Sequence, residues 1–215
     1  MRTLGLARSD FGIFTIEGFS ARVQQIDQVT RPKLVRIGRQ VAPELSRRLE
    51  REMHTHLARH PRSTVNPPSE TGLAFSASRS GFKRHPHFVL GVSALGVHAR
   101  LVVKTEADGR SQMAARIADQ ANVLEKSFGP TRVARFDNWE LSRFPPEVHV
   151  DQRFLHAVAD TLGKRSGGLD LGFAWPVREA VALDPAEVSD AFHELEPLYR
   201  VVTGLFRSQT GEEQS

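Results

Sequence analysis

The sequence predicts an α+β domain: an antiparallel sheet of about five or six strands with helices packed on it. Three observations point there. Apolar residues recur at three- and four-residue spacing at both ends of the chain, they alternate with period two in its middle, and the regular strand–helix alternation of a doubly wound parallel sheet is missing. With 215 residues, 40% hydrophobic and 25% charged, the chain is long and apolar enough for a sizeable core.

Taken in order, Phe19, Val23, Ile26 and Val29 mark a first helix before Arg31-Pro32, and Leu34, Ile37, Val41, Leu45 and Leu49 continue the period after it. Pro43 either kinks that second helix or restarts it. Residues 60–72, HPRSTVNPPSETG, read as an extended connection. The run VHARLVVK at 97–104 nearly alternates as a half-buried strand, and FVLGV at 88–92 pairs with it as an antiparallel hairpin around Gly96. A helix over Ser111–Phe128 stops at Gly129-Pro130, and 132–137 form a further strand. Asp151 caps a helix carrying Phe154, Leu155, Val158 and Leu162, and Leu169, Leu171, Phe173 and Trp175 alternate as a strand. Asp184, Pro185 and Glu187 announce the last helix as N-cap, first position and capping-box partner, and Pro197 bends it. Residues 1–8 are expected as a flexible N-terminus, 9–207 as one domain and SQTGEEQS at 208–215 as a disordered tail.

Composition shortens the chemical menu. The absence of cysteine removes disulfides, thiol nucleophiles, iron–sulfur clusters and most structural zinc sites. No apolar run reaches the ~20 residues of a membrane span, and too few apolar residues follow Arg2 for a signal peptide, so a cytoplasmic location is expected. There is no GxSxG, no GxxxxGK[ST] loop and no GxGxxG after a strand. The formal charge of +4 is unevenly spread: residues 1–87 carry 15 Lys/Arg against 7 Asp/Glu, and residues 88–215 carry 14 against 18. A basic first part suits a polyanion.

Much of that charge lies in HTHLARHPRSTVNPPSETGLAFSASRSGFKRHPHF, residues 54–88, with His54, His56, His60, His85 and His87 among its cations. Read as a helix over 50–60, Glu52, His56 and His60 would share a face, but HLARH lacks the glutamate of HExxH and nearby cations repel a metal, so no metal site and no cofactor are assigned. Arg59, Arg62, Arg79, Lys83 and Arg84 supply charge-assisted donors to phosphate, while Thr64, Asn66 and the Pro67-Pro68 pair would orient and stiffen a binding loop. The competing reading is plain: the charges face water and the prolines only turn the chain. GKRSGG at 163–168 has the same duality, a phosphate contact or an ordinary helix-to-strand loop.

RPKL at 31–34, HPRSTVNPP at 60–68 and GFKRHPHF at 81–88 resemble the YktB-like family of bacterial proteins of unknown function. SDFGIFTIEGFSAR at 9–22 and ELEPLY at 194–199 look like that family's two ends. The resemblance implies a single cytoplasmic α+β domain of TBP-like or helix-grip architecture and no established activity. It favours His56, His60, Arg62, Thr64, Asn66, Pro67, Pro68, Lys83, Pro86 and His87 as pattern positions. Ser63, Gly72 and Ser80 depart from that pattern, and Arg79 would stand in for an arginine expected at 80.

Three functional expectations result. The first is a phosphate- or nucleic-acid-binding module with its site in 56–87, built from Arg59, Arg62, Thr64, Asn66, Arg79, Lys83, Arg84 and His87; its partner is a nucleic acid or a phosphorylated small molecule, not a membrane. The second is a metal-independent phosphoester hydrolase or transferase using His56 and His60. The third is a protein-interaction scaffold whose basic segment meets an acidic partner.

Overall fold

The periodic apolar positions near the start do form helices. The computed structural model describes residues 3–58, 66–136 and 143–205. In it α1 (Arg8–Gly12), a 3₁₀ turn, α2 (Phe19–Gln25), a π turn (Ile26–Thr30) and α3 (Arg31–Arg48) follow one another. Pro32 has no N–H for the helical ladder, and the widened turn falls just before it: the Arg31 N–H bonds the carbonyl of Ile26, five residues back. Pro43 lies inside α3, so the helix does not restart there. Within the stretch expected as a flexible N-terminus, Leu4 and Leu6 are buried and the Leu4 N–H donates to the Leu183 carbonyl at 2.8 Å.

The strands are β1 (His54–Leu57), β2 (Glu70–Ser76), β3 (His87–Ser93) and β4 (Gly96–Val103). Helices α4 (Arg110–Asp119) and α5 (Ala121–Phe128) come next, dividing at Gln120 the single helix expected over 111–128. Strands β5 (Arg132–Arg135) and β6 (Glu147–His149), helix α6 (Gln152–Gly163) and strand β7 (Leu169–Pro176) complete one sheet. Its order is β1-β2-β3-β4-β7-β5-β6, antiparallel throughout. Seven strands slightly exceed the expected five or six, and the α+β class holds. The last described helices are α7 (Val177–Ala180), α8 (Pro185–Glu194) and α9 (Glu196–Thr203), the bend at Pro197 being a break between α8 and α9.

Local signals read from sequence have their partners. Asp151 accepts from the Phe154 N–H at 2.7 Å, and Asp184 accepts from Ala186 and Glu187 while the Glu187 carboxylate accepts from the Asp184 N–H. The loop at 163–168 is structural: the carbonyls of Lys164 and Gly167 accept from Arg110, and a side chain at Gly167 would strike the Thr161 carbonyl.

The sheet's two faces differ. One carries Leu73, Phe75, Phe88, Leu90, Leu101 and Leu171 against α3, α8 and α9, with Phe88 stacked on Tyr199 at 4.7 Å and tilted against Phe192 at 5.1 Å. Gly38 lets α3 approach, since a methyl there would lie 2.4 Å from Leu73. The other face bears His56, Gly72, Ala74, His87, Val89, Gly91, His98, Arg100, Asp170 and Gly172, placed together by the register. It too is largely covered, so β4, expected half-buried, is buried along all eight residues. Among the described residues no helix is long and apolar enough to cross a membrane.

A Cβ at Gly172 would sit 2.0 Å from the Ala99 carbonyl oxygen, whereas one at Gly12 meets nothing within 4 Å. Gly172→Ala is expected to cost about 1–3 kcal/mol in urea unfolding, and Gly12→Ala to change stability by less than about 0.5 kcal/mol.

Candidate ligand cavity

The second sheet face holds a cavity of about 360 Å³. Its floor exists because the register aligns short side chains: His56, Ala74, Val89 and Arg100 form one row across β1 to β4, with Gly72 alongside. His56 and Arg100 are three strands apart, roughly 14 Å between backbones at the usual strand spacing. Phe19 from α2 and Asn66 and Pro68 from the loop before β2 close the sides. Arg22 ties that loop to α2 by donating to the Pro68 carbonyl at 3.1 Å.

One wall is aromatic. Phe82 stands between His56 and His87, with ring centroids 5.7 Å and 4.8 Å away. His56 donates from Nε2 to the Ser78 carbonyl at 2.9 Å. His87 is fully buried and donates from Nδ1 to the His85 carbonyl at 2.8 Å. That bond leaves Nε2 as the lone-pair nitrogen, and Nε2 is buried with no hydrogen-bond partner. Burial pulls the His87 imidazole down to about 4, against the upward influence of the His85 carbonyl, and the nearby Lys104 and Arg100 charges push the same way as burial.

The opposite wall is charged. Arg100, with its side chain 8% exposed, reaches Glu70 at 3.1 Å and Asp170 at 3.2 Å, and its guanidinium lies 5.1 Å from the Phe136 ring. His98 lies over Gly91, where a Cβ would be 1.7 Å from the ring, and its Nε2 is 3.2 Å from Glu70. Burial pushes the Glu70 carboxyl up, but the Arg100 guanidinium and His98 outweigh it and hold Glu70 well below the usual range. Burial, with the Arg100 charge, pulls His98 down to about 4, so near neutrality the wall combines two carboxylates, one guanidinium and a neutral imidazole.

A wider groove of about 970 Å³ adjoins the cavity and shares His56, Ala58, Phe82 and Lys104 with it. Arg31, Lys83, Arg84 and Lys104 line this neighbouring space, with Arg31 paired to Asp27 and Arg84 to Asp108.

Of the residues singled out by sequence, His56, Asn66 and His87 meet in the cavity, while Lys83 and Arg84 line the groove. Arg84 is held by Asp108 through two nitrogens at 2.6 Å and 3.0 Å. Arg79 lines neither space; its side chain is 80% exposed and stands 3.6 Å from Glu52. Arg59, His60, Arg62 and Thr64 lie outside the described residues. The helical face of Glu52, His56 and His60 is overturned: residues 54–57 are a strand pairing with Leu73–Ser76, where alternate residues share a side and a four-residue helical repeat has no meaning. Sequence reading missed Glu70, His98, Arg100 and Asp170. Their signal was faint but present, as glycines at 72, 91 and 172 in apolar strands mark close approach of something large.

A family model described as a domain of unknown function (DUF1054) matches residues 6–199. The chain belongs to this family. That span contains every strand among the described residues and the whole cavity, and it agrees with the resemblance carried by TVNPP and GFKRHPHF. The chain is similar to the UPF0637 protein OB1420 of Oceanobacillus iheyensis, 37% identical over 52% of this chain and 54% of that one. It is also similar to the UPF0637 proteins of Macrococcus caseolyticus, 29% identical over 88% and 95%, and Lysinibacillus sphaericus, 26% identical over 91% and 94%. The match thus spans about half the length of the first relative and nearly all of the other two. Among the described residues no group of three His, Asp or Glu side chains is placed to hold a metal ion.

Two buried neutral imidazoles give the family member a pH signature. Between their ordinary 6.5 and their folded values of about 4, the unfolded chain binds protons that the folded chain does not. Their contribution to stability is therefore whole above pH 6.5 and declines as pH falls toward 4, by up to about 1.4 kcal/mol per pH unit for each histidine. Glu70 adds a loss only below its ordinary 4.5. His87→Phe is expected to remove about one proton's worth of this slope in urea unfolding between pH 6.5 and 4.5; an unchanged slope would show that His87 is not a source.

Proposed function

We propose that the chain binds a phosphorylated small molecule, its phosphate at the cationic groove and the remainder over the sheet floor. One observation carries the reading: a half-open cavity of about 360 Å³ shares a boundary with a groove bearing Lys83 and Lys104. Small-molecule sites occupy about 300–1,000 Å³, and phosphate favours positions where cations supply charge-assisted donors. A nucleic-acid strand lying along the groove would leave the smaller cavity and its buried His87 Nε2 without a role.

A hydrolase using His56 and His60 has less support. The helical pairing it relied on is lost, since His56 lies on a strand paired with Leu73–Ser76.

Calorimetric titration with nucleoside monophosphates, sugar phosphates, inorganic phosphate and a single-stranded oligonucleotide tests the proposal. At least one phosphate ester is expected to bind more tightly than inorganic phosphate, with about tenfold weakening by Lys104→Glu and a shallow salt dependence. Oligonucleotide binding that loses about 0.7 logarithmic units per contact per decade of salt, uncompeted by any monophosphate, would overturn it.

A further inference from the structure

We infer that the part of the ligand lying over the sheet floor is a flat nitrogenous base with an N–H in its plane, so that the phosphate ester is a nucleoside monophosphate. This rests on the phosphate-ester reading above and specifies the other half of the same ligand.

His87 is the residue that calls for the N–H. It lines the cavity, is fully buried, and donates from Nδ1 to the His85 carbonyl at 2.8 Å. The neutral ring therefore keeps one lone pair, on Nε2, and that buried nitrogen meets no hydrogen-bond partner. Burying an acceptor without a donor is costly to the fold, and a bound N–H removes the cost. Phe82 stands against this ring at 4.8 Å, a half-buried side chain on the irregular segment between β2 and β3. A ligand reaches Nε2 by turning Phe82 aside, and the phenyl face then covers the incoming ring.

The surroundings of His87 decide between a base and a sugar. Phe82 touches it, Val89 follows two residues on along β3, and Val102 is its partner on β4; all three line the cavity. A base lies flat on such apolar surface with its donors at one edge. A sugar carries hydroxyls all round its ring, and those turned toward Phe82, Val89 and Val102 would lose water without gaining a partner. Gly72 and Ala74 keep the adjoining floor low, as a flat ring requires. Position agrees as well. Val102 stands two residues before Lys104, so the acceptor and the nearer groove lysine are separated by roughly 7 Å along the strand. One compact nucleotide can meet His87 with its base and the groove with its phosphate.

Calorimetric titration of the unmodified protein compares the four common ribonucleoside monophosphates with ribose 5-phosphate and glucose 6-phosphate. It is run at pH 7.5, well above the value of about 4 to which burial pulls His87, so that the ring is neutral. At least one nucleotide is expected to bind at least tenfold more tightly than either sugar phosphate, and to lose at least tenfold when every base nitrogen that carries hydrogen is methylated. His87→Phe, checked for folding by circular dichroism, is expected to narrow that methylation gap at least threefold. Sugar phosphates that bind as tightly as every nucleotide, a methylated nucleotide that binds as tightly as its parent, or a folded His87→Phe with an unchanged gap would each overturn the nucleotide inference and leave the phosphate-ester reading standing. If no phosphate ester binds, both fail. Should His87→Phe not fold, Phe82→Leu takes its place: the nucleotide is expected to weaken at least threefold with ribose 5-phosphate unchanged, and unchanged nucleotide affinity overturns the inference.

Discussion

A guanidinium placed on the inner face of a sheet must be matched by acceptors, because removing its charge from water carries a penalty of several kcal/mol. Arg100 imposes that requirement on this fold. It projects from the central strand β4, is almost wholly buried, and draws Glu70 from β2 and Asp170 from β7 to itself across separations of 30 and 70 residues. Three strands are thereby fixed on one polar centre, and the side chains around it have to be small. Gly72, Gly91 and Gly172 meet that demand: His98 occupies the space over Gly91, and Gly172 leaves no room for a Cβ against the Ala99 carbonyl.

The same arrangement explains why the principal helices gather on the other face. A helix seeks an apolar surface, and the face built from Leu73, Phe75, Phe88, Leu90 and Leu101 provides one for α3, α8 and α9. Arg100, Glu70, His98 and Asp170 would be poor partners for a helical stripe. Their face is instead bordered by Phe136, the start of α2, Phe82 and the prolines before β2, and such irregular cover leaves a cavity.

What could be read from sequence was local. The hairpin of β3 and β4, the Asp151 cap and the Asp184–Glu187 capping box depend on residues a few positions apart, and each is present. The cavity depends on strand order. His98 and Arg100 alternate with apolar residues as solvent-facing positions do, and only the register across β2, β3 and β7 reveals that their side is covered. Local pattern also misled at His56, where a repeat compatible with a helix lies on an edge strand paired over four residues. The basic first part of the chain divides similarly. Arg22, Arg31 and Arg36 donate to the carbonyls of Pro68, Ala58 and Leu4, so a good share of the charge excess holds backbone segments together and is not surface available to a polyanion.

Charge count and charge placement therefore differ. A surplus of cations within 56–87 suggests a uniform anion surface, yet Arg84 is occupied by Asp108 and Arg79 stands apart beside Glu52. The cavity itself mixes the two signs: Arg100 and Lys104 line it together with Glu70 and Asp170, and the register sets Asp170 opposite Val102, two residues before Lys104 on the same face of the sheet. Cations interleaved with carboxylates in this way do not present one sign of charge, so a basic composition in the first part of the chain does not carry over to the floor that it folds into.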